Sequence, residues 1–127
     1  MGGYQTDYLP AFYSRTSDVA LNLRKDHPEE IAALMHYQDV AELKSAILVT
    51  NPIPAEHEIP HEDIDQIIQQ ALAEEKEAGV HGKDSTPFLL AKIVELTEGR
   101  SLASNIELVY NNARLGAEIA VAYQAYQ

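Results

Sequence analysis

Ala46-Ile47-Leu48-Val49-Thr50-Asn51-Pro52-Ile53-Pro54 is the stretch whose reading decides the fold class. Its first five residues carry apolar and β-branched side chains without alternation. That is the pattern of a strand covered on both faces, as in a parallel sheet flanked by helices. Pro52 and Pro54 end it, because proline donates no ladder hydrogen bond. The stretch predicts an α/β fold, specifically a partial three-layer α/β/α sandwich with few strands and about four helices. Asn51 follows the carboxyl end of the strand, which is where ligands of open α/β sheets bind. Its competing role is that of a turn-former before Pro52.

Helical patterns lie on both sides of this strand. Upstream, Asp26, Pro28 and Glu29 form a helix-start signal, and Ile31, Leu34 and Met35 share one face of a helix running to about Glu42. Residues 2–6 and 11–15, rich in Tyr and Phe and separated at Pro10, predict two further short strands, and residues 16–25 a polar loop. Downstream, Ile64, Ile67, Ile68, Ala71 and Leu72 fit one helical face, and Gly79 is a natural stop. Thr86 before Pro87 predicts an N-cap with proline in the first helical position. Residues 88–96 are apolar nearly all round, which predicts a buried helix ending at Gly99. Ser101 is expected to cap a last helix. Its stripe of Ile106, Val109, Ala113, Ala117 and Ala120 is narrow enough at the alanines for a neighbour to pack closely.

No repeat or long linker divides residues 1–127, so they read as a single domain. That domain is expected to be incomplete: a buried parallel strand needs neighbours on both edges, strands are few, and the first begins almost at Met1. The net charge of −11 repels nucleic-acid backbones and requires any phosphate site to be a local cluster of donors. No apolar run approaches the ~20 residues of a membrane helix. The chain has no cysteine, which excludes disulfides and thiolate catalysis within it. With an N-terminus lacking the basic and apolar regions of a signal peptide, this suits a cytoplasmic location.

Several unusual strings resemble the pseudouridine-5′-phosphate glycosidase family, also called indigoidine synthase A-like proteins. They are Gly3-Tyr4-Gln5-Thr6, Leu9-Pro10-Ala11-Phe12-Tyr13-Ser14-Arg15, Val49-Thr50-Asn51-Pro52-Ile53-Pro54 and Gly82-Lys83-Asp84-Ser85-Thr86-Pro87-Phe88-Leu89-Leu90-Ala91-Lys92-Ile93. Glu95-Leu96-Thr97-Glu98-Gly99, Ser101-Leu102-Ala103-Ser104-Asn105-Ile106 and Asn111-Asn112-Ala113 follow in the family's order and spacing. The resemblance covers essentially all of this chain but only the C-terminal portion of the family's longer chains. It implies a trimeric α/β/α enzyme that reversibly cleaves the C–C glycosidic bond of pseudouridine 5′-phosphate to uracil and ribose 5-phosphate. It further implies a lysine forming a Schiff base with the sugar, a glutamate moving protons to the base, and a manganese ion (Mn2+) on an aspartate. All three family residues lie upstream of this chain's match, so the metal's ligand lies outside the chain, and Lys44, Lys83 and Lys92 are not substitutes. The chain alone is therefore expected to be inactive. It would act within a homo-oligomer or with a partner carrying the missing N-terminal half, or serve as a catalytically silent structural module. Residues 40–46 depart from the family, which has a glycine-rich turn there. Glu42, Ser45 and Ala46 would strain that turn.

By the same resemblance Asn105, in Ser104-Asn105-Ile106, stands at an active-site asparagine, and its amide offers the donor and acceptor needed to read a uracil edge. The competing role is an amide bonded to local backbone at a helix start. Asn112, two helical turns on, would line the same wall or be a buried amide fixing helix packing. Thr6 and Asp7 follow a strand end. Asp7 suits a metal's surroundings or a turn cap. His57 and His61 have the spacing of two ligands on one helix face, but Pro54 and Pro60 make a helix there improbable, and a solvated acidic face fits better.

Overall fold

A computed structural model describes residues 1–127. In chain order the elements are β1 (Gly2–Tyr4), β2 (Arg24–Lys25), α1 (Pro28–Val40), β3 (Val49–Thr50), α2 (His61–Ala78), α3 (Ser85–Leu96) and α4 (Arg100–Tyr123), with a 3-10 turn at Ala55–His57. The class is α/β, as expected. The sheet is parallel throughout, in the order β2-β1-β3, with Gly3 opposite both Arg24 and Thr50.

The strands differ from expectation in length and burial. The five-residue apolar run yields only two strand residues, because its single neighbour β1 is three residues long. Nor is it covered on both faces: Leu48 is 57% exposed, since β3 is an edge with nothing packed beyond it. Residues 11–15 form no strand. Ala11 and Ser14 close a tight turn through Phe12 at φ 64, and Tyr13 and Ser14 are tied to Ile59 by hydrogen bonds of 2.8 and 2.7 Å. The stretch expected as loop supplies β2. Gly3 is required at the sheet centre: a Cβ there would stand 2.4 Å from the Thr6 carbonyl oxygen, where the chain doubles back.

The helices follow local signals, with shifts at their ends. In α1 the cap is one residue later than expected: Pro28 is the first helical residue, and the Glu30 carboxylate accepts from the His27 N–H at 3.2 Å. Gly79 ends α2 at φ 70, as its position implied. Helix α3 starts at Ser85, ahead of Thr86, and its Ser85 hydroxyl donates to Glu75 on α2. It is less buried than its composition suggested, with Ile93 alone fully covered. Ser101 does not cap α4. It lies inside the helix, and Thr97 accepts its N–H at 3.1 Å instead.

The main core joins Tyr13, Ile59, Ile64, Ala71 and Ile93, so it lies between α2, α3 and the loops that cross them. Helix α1 packs on α4, and α2 on α3. Between α1 and the sheet an apolar seam of about 370 Å³ stays unfilled, lined by Leu23, Ile31, Leu34, Ile47 and Val49 among others. The accessible surface is 8356 Å². A compact chain of 14.1 kDa would expose about 6,700 Å².

Candidate functional site

The order β2-β1-β3 creates a place for a ligand. From the central strand β1 the chain goes to one side for β2 and then crosses to the other for β3. At such a reversal the loops leaving the two strands part, opening a crevice beyond their carboxyl ends. A polar cavity of about 360 Å³ occupies that position. Tyr4 and Gln5 line it from the end of β1, Asn51, Pro52, Pro54, Ala55 and Glu56 from the end of β3, Arg15 from the turn region, and Asn111, Arg114, Leu115 and Glu118 from α4.

Several of these side chains are fixed by their own hydrogen bonds. Gln5 sits at φ 55, a left-handed conformation that a non-glycine residue adopts only under constraint. Its backbone N–H donates to the Lys25 carbonyl at 2.8 Å and its amide to the Asp26 carbonyl at 3.1 Å. The Arg15 guanidinium donates to the Ile53 carbonyl at 2.6 Å, and the Arg15 N–H to the Glu58 carboxylate at 2.6 Å. Asn111 donates to the Pro52 carbonyl at 3.1 Å, closing the β3 loop against α4. Burial, then the carboxylates of Glu118, Glu29 and Asp26, push the Tyr4 phenol above its ordinary pKa of 10.0, so it stays protonated as a donor. Two guanidinium groups, Arg15 and Arg114, stand against two carboxylates, Glu56 and Glu118. The cavity therefore offers both signs of charge with amides between, a surface for a polyhydroxylated or amide-bearing ligand as much as for an anion.

Two of the three asparagines singled out from the sequence are brought together. The Asn51 amide, half-buried at the β3 end, donates to Asn112 Oδ1 at 3.1 Å. Asn112 is exposed, so it is not the buried packing amide its position allowed; the half-buried Asn111, one residue earlier, ties α4 to the Pro52 carbonyl instead. Asn105 lies seven residues before Asn112, two turns or about 10 Å back along α4 and on the same side of it. It is half-buried, and its side chain makes no hydrogen bond to local backbone, so the competing role at that position is not realised. Next to it, Ser104 donates to the His57 carbonyl at 2.8 Å and holds the 3-10 turn on α4.

The other candidates resolve into structural roles. Thr6 accepts the Tyr8 N–H at 3.2 Å in a side-chain turn, and Asp7 pairs with Arg24 at 2.9 Å. His57 lies in the 3-10 turn, 3.5 Å from Glu107, whereas His61 opens α2, so the two share no helix face. Lys92 pairs with Glu74 at 2.7 Å and Glu95 at 3.3 Å, and those hydrogen bonds, Glu74 first, raise its pKa above 10.5. A lysine held protonated is a poor nucleophile. Sequence reasoning missed Gln5, Arg15, Asn111 and Arg114. The tandem Asn111-Asn112 was the available signal: neighbours on a helix point about 100° apart, so two adjacent asparagines address two different surroundings.

Comparison with known proteins gives this geometry a family. A family model described as indigoidine synthase A like protein matches residues 1–122. A pseudouridine-5′-phosphate glycosidase of Kosmotoga olearia is 48% identical over 120 residues, covering 94% of this chain and 42% of that protein. One of Petrotoga mobilis is 52% identical over 118 residues, covering 93% and 39%. A crystal structure of an indigoidine synthase A-like protein from Thermotoga maritima superposes with a TM-score of 0.83 at 36% identity, over 99% of this chain and 40% of that one. The crystal structure of the prealnumycin C-glycosynthase AlnA in complex with ribulose 5-phosphate gives 0.86 at 26% identity, over 99% and 41%. The chain thus spans about two-fifths of the length of these relatives. With a family model covering nearly all of it and relatives about half identical throughout, the chain belongs to the indigoidine synthase A-like protein family.

Proposed function

We propose that this chain forms part of a pseudouridine-5′-phosphate glycosidase and supplies one wall of its active site. The enzyme, a hydrolase or lyase of nucleoside catabolism, would reversibly add water across the C–C glycosidic bond, the ring carbon of uracil taking the hydrogen and the sugar carbon of ribose 5-phosphate the hydroxyl. The observation that carries this reading is the near-half identity to glycosidases of two organisms along almost the whole chain. The polar crevice at the β1/β3 reversal and the asparagines beside it support it.

Within that enzyme the chain's own residues bind and orient. Asn105 offers a donor and an acceptor to the edge of uracil, and a hydrogen bond that tightens as charge builds on the departing ring favours the transition state over the ground state. Asn51, fixed by Asn112, presents its remaining amide valences to the sugar side of the crevice. The proton delivered to the ring carbon and the imine to the sugar would come from a glutamate and a lysine outside this chain. The family resemblance also implies Mn2+. The residues present do not fit it, since no three His, Asp or Glu side chains gather at ligating distance.

Uracil release is the test. The chain alone, supplied with pseudouridine 5′-phosphate and manganese, is expected to release none. The chain joined by the remaining three-fifths of the Kosmotoga olearia relative is expected to turn over. Turnover by the pure chain at ordinary enzyme rates would overturn the division of roles. One observation favours a second reading, a catalytically silent structural module: Glu42 occupies φ 57 where the family resemblance implies a glycine-rich turn. That reading predicts no uracil release even from the completed assembly.

A further inference from the structure

Helix α1 is fully covered only near its start, at Ile31 and Ala32. Beyond them it borders two cavities. Leu34 and Tyr37 line the apolar seam of about 370 Å³, and Met35 and Asp39 a second space of about 270 Å³. Along such voids a helix lacks the dispersion contacts that would fix it. Yet the last residues of α1 carry the segment that leads into β3. The Leu43 N–H donates to the Gln38 carbonyl at 3.1 Å, and the Glu42 N–H to the Asp39 carbonyl at 3.0 Å. The Gln38 amide donates to Ser45 Oγ at 3.0 Å. Whatever holds residues 36–40 therefore also holds residues 41–45 and the entry to β3.

The grip on that half of α1 comes from the end of α4. After Tyr123 the chain bends through a second 3-10 turn, Gln124–Tyr126, which brings it onto α1. The Tyr123 hydroxyl donates to the Asp39 carboxylate, and the Tyr126 ring stacks on the His36 imidazole, with centroids 4.4 Å apart and planes at 17°. Tyr37 meets His36 edge-on at 5.3 Å and Tyr123 lies 6.3 Å from Tyr126, so four rings form one cluster. His36 and Asp39 are three residues apart and so share a face of α1. The hydrogen bond to Asp39 raises the Tyr123 pKa above its ordinary 10.0, so the phenol stays a donor. Both tyrosines lie past residue 122, where the family match ends.

We infer that Tyr123 and Tyr126 form a clasp on α1. Closed, it pins the second half of α1 and, through it, residues 41–45 and the start of β3. Open, that half swings as a flap about the buried Ile31 and Ala32. The clasp is of a kind that opens readily: Asp39 is exposed and Tyr126 is 41% exposed, so water competes for both grips. The inference goes beyond the glycosidase reading and does not depend on it.

Amide hydrogen exchange, read residue by residue on the full chain, is the test. In a variant carrying Tyr123→Phe and Tyr126→Leu, the amides of residues 36–43 are expected to exchange roughly tenfold faster or more. The Thr97 N–H, bonded to the Ile93 carbonyl at 2.9 Å at the end of α3, is expected to keep its rate. Tyr126→Phe retains the stacking ring and is expected to behave as wild type. Unchanged exchange at residues 36–43 in the double variant overturns the proposal. Equal acceleration at Thr97 overturns it too, because the tyrosines would then merely stabilise the whole fold. A second measurement avoids the double variant. The chain has no tryptophan, so Tyr126→Trp introduces its only indole. Acrylamide should quench that indole about twofold more slowly with His36 present than with His36→Ala, since the stack shields one face of the ring. Equal quenching in the two would show that the ring does not rest on His36, and the clasp falls.

Discussion

Two asparagines seven residues apart on one helix should answer differently to the same truncation. Asn105→Ala removes an amide with no partner in the chain, so in the completed enzyme kcat is expected to fall tenfold or more, ~1.4 kcal/mol per decade, with the melting temperature unchanged. Asn112→Ala removes the acceptor of Asn51 and is expected to cost mainly stability, about 0.5–1 kcal/mol, at near-normal rate per folded molecule. The reverse pattern in kinetics and thermal melts would mean the two roles are exchanged. Glu42 offers a separate test. Its φ of 57 is one that L-residues reach at about 1–2 kcal/mol, part of which glycine's greater unfolded-state freedom cancels. Glu42→Gly is therefore expected to raise the urea midpoint by an amount worth up to about 1 kcal/mol. A lowered midpoint would reveal a compensating contact of the Glu42 side chain. The need for a special turn here was legible from sequence because Glu42 stood where the resembling family has glycine. The left-handed Gln5 was not, since nothing in Tyr4-Gln5-Thr6 tells of a chain that doubles back so closely that a Cβ on Gly3 would stand 2.4 Å from the Thr6 carbonyl oxygen.

Between elements, the α2–α3 pair is held by Glu74 and Lys92 as well as by Ile64 and Ile93. Hydrogen bonds from Lys92 first, and then Gln70, lower the Glu74 pKa below 4.5, so its contribution is complete above about 4.5 and lost as pH falls through the lowered value. Lys92, raised above 10.5, contributes fully below that value and loses its share as pH rises through the raised one. Both side chains are partly exposed, so solvent screens the pair and the effect is small but has a defined shape: a plateau between the two limits. Melting temperatures of wild type and Lys92→Met followed from pH 7 to pH 3 should converge in acid; curves that stay parallel would show that the pair contributes nothing. The helices were legible because proline, glycine and 3.6-residue periodicity act locally. The strands were not: β2 and β3 are two residues each, and their limits are set by β1, a partner far away in sequence. The α4 stripe was read as a packing surface, and the structure leaves it exposed, with no partner within the chain.

At the scale of the whole molecule, the buried apolar contacts are unevenly shared. Tyr13, Ile59, Ile64, Ala71 and Ile93 form one cluster, while the sheet rests beside an unfilled seam of about 370 Å³. Hydrogen exchange should therefore find the slowest amides in α2 and α3, near Ile64 and Ile93, and much faster ones at Gly3 and Thr50. Equal protection in both regions would show a single cooperative unit. The central strand has a further consequence, one of timing. Gly2 pairs with Val49, and at about 5–20 residues per second a ribosome takes several seconds to make the chain between them. For part of that interval β1 waits for Arg24-Lys25 on one edge, and for all of it the other edge stays open. Gly2-Gly3-Tyr4 suits the wait: three residues, two without side chains, make a poor template for a stray strand, so the nascent sheet is kept from premature partners by its own brevity.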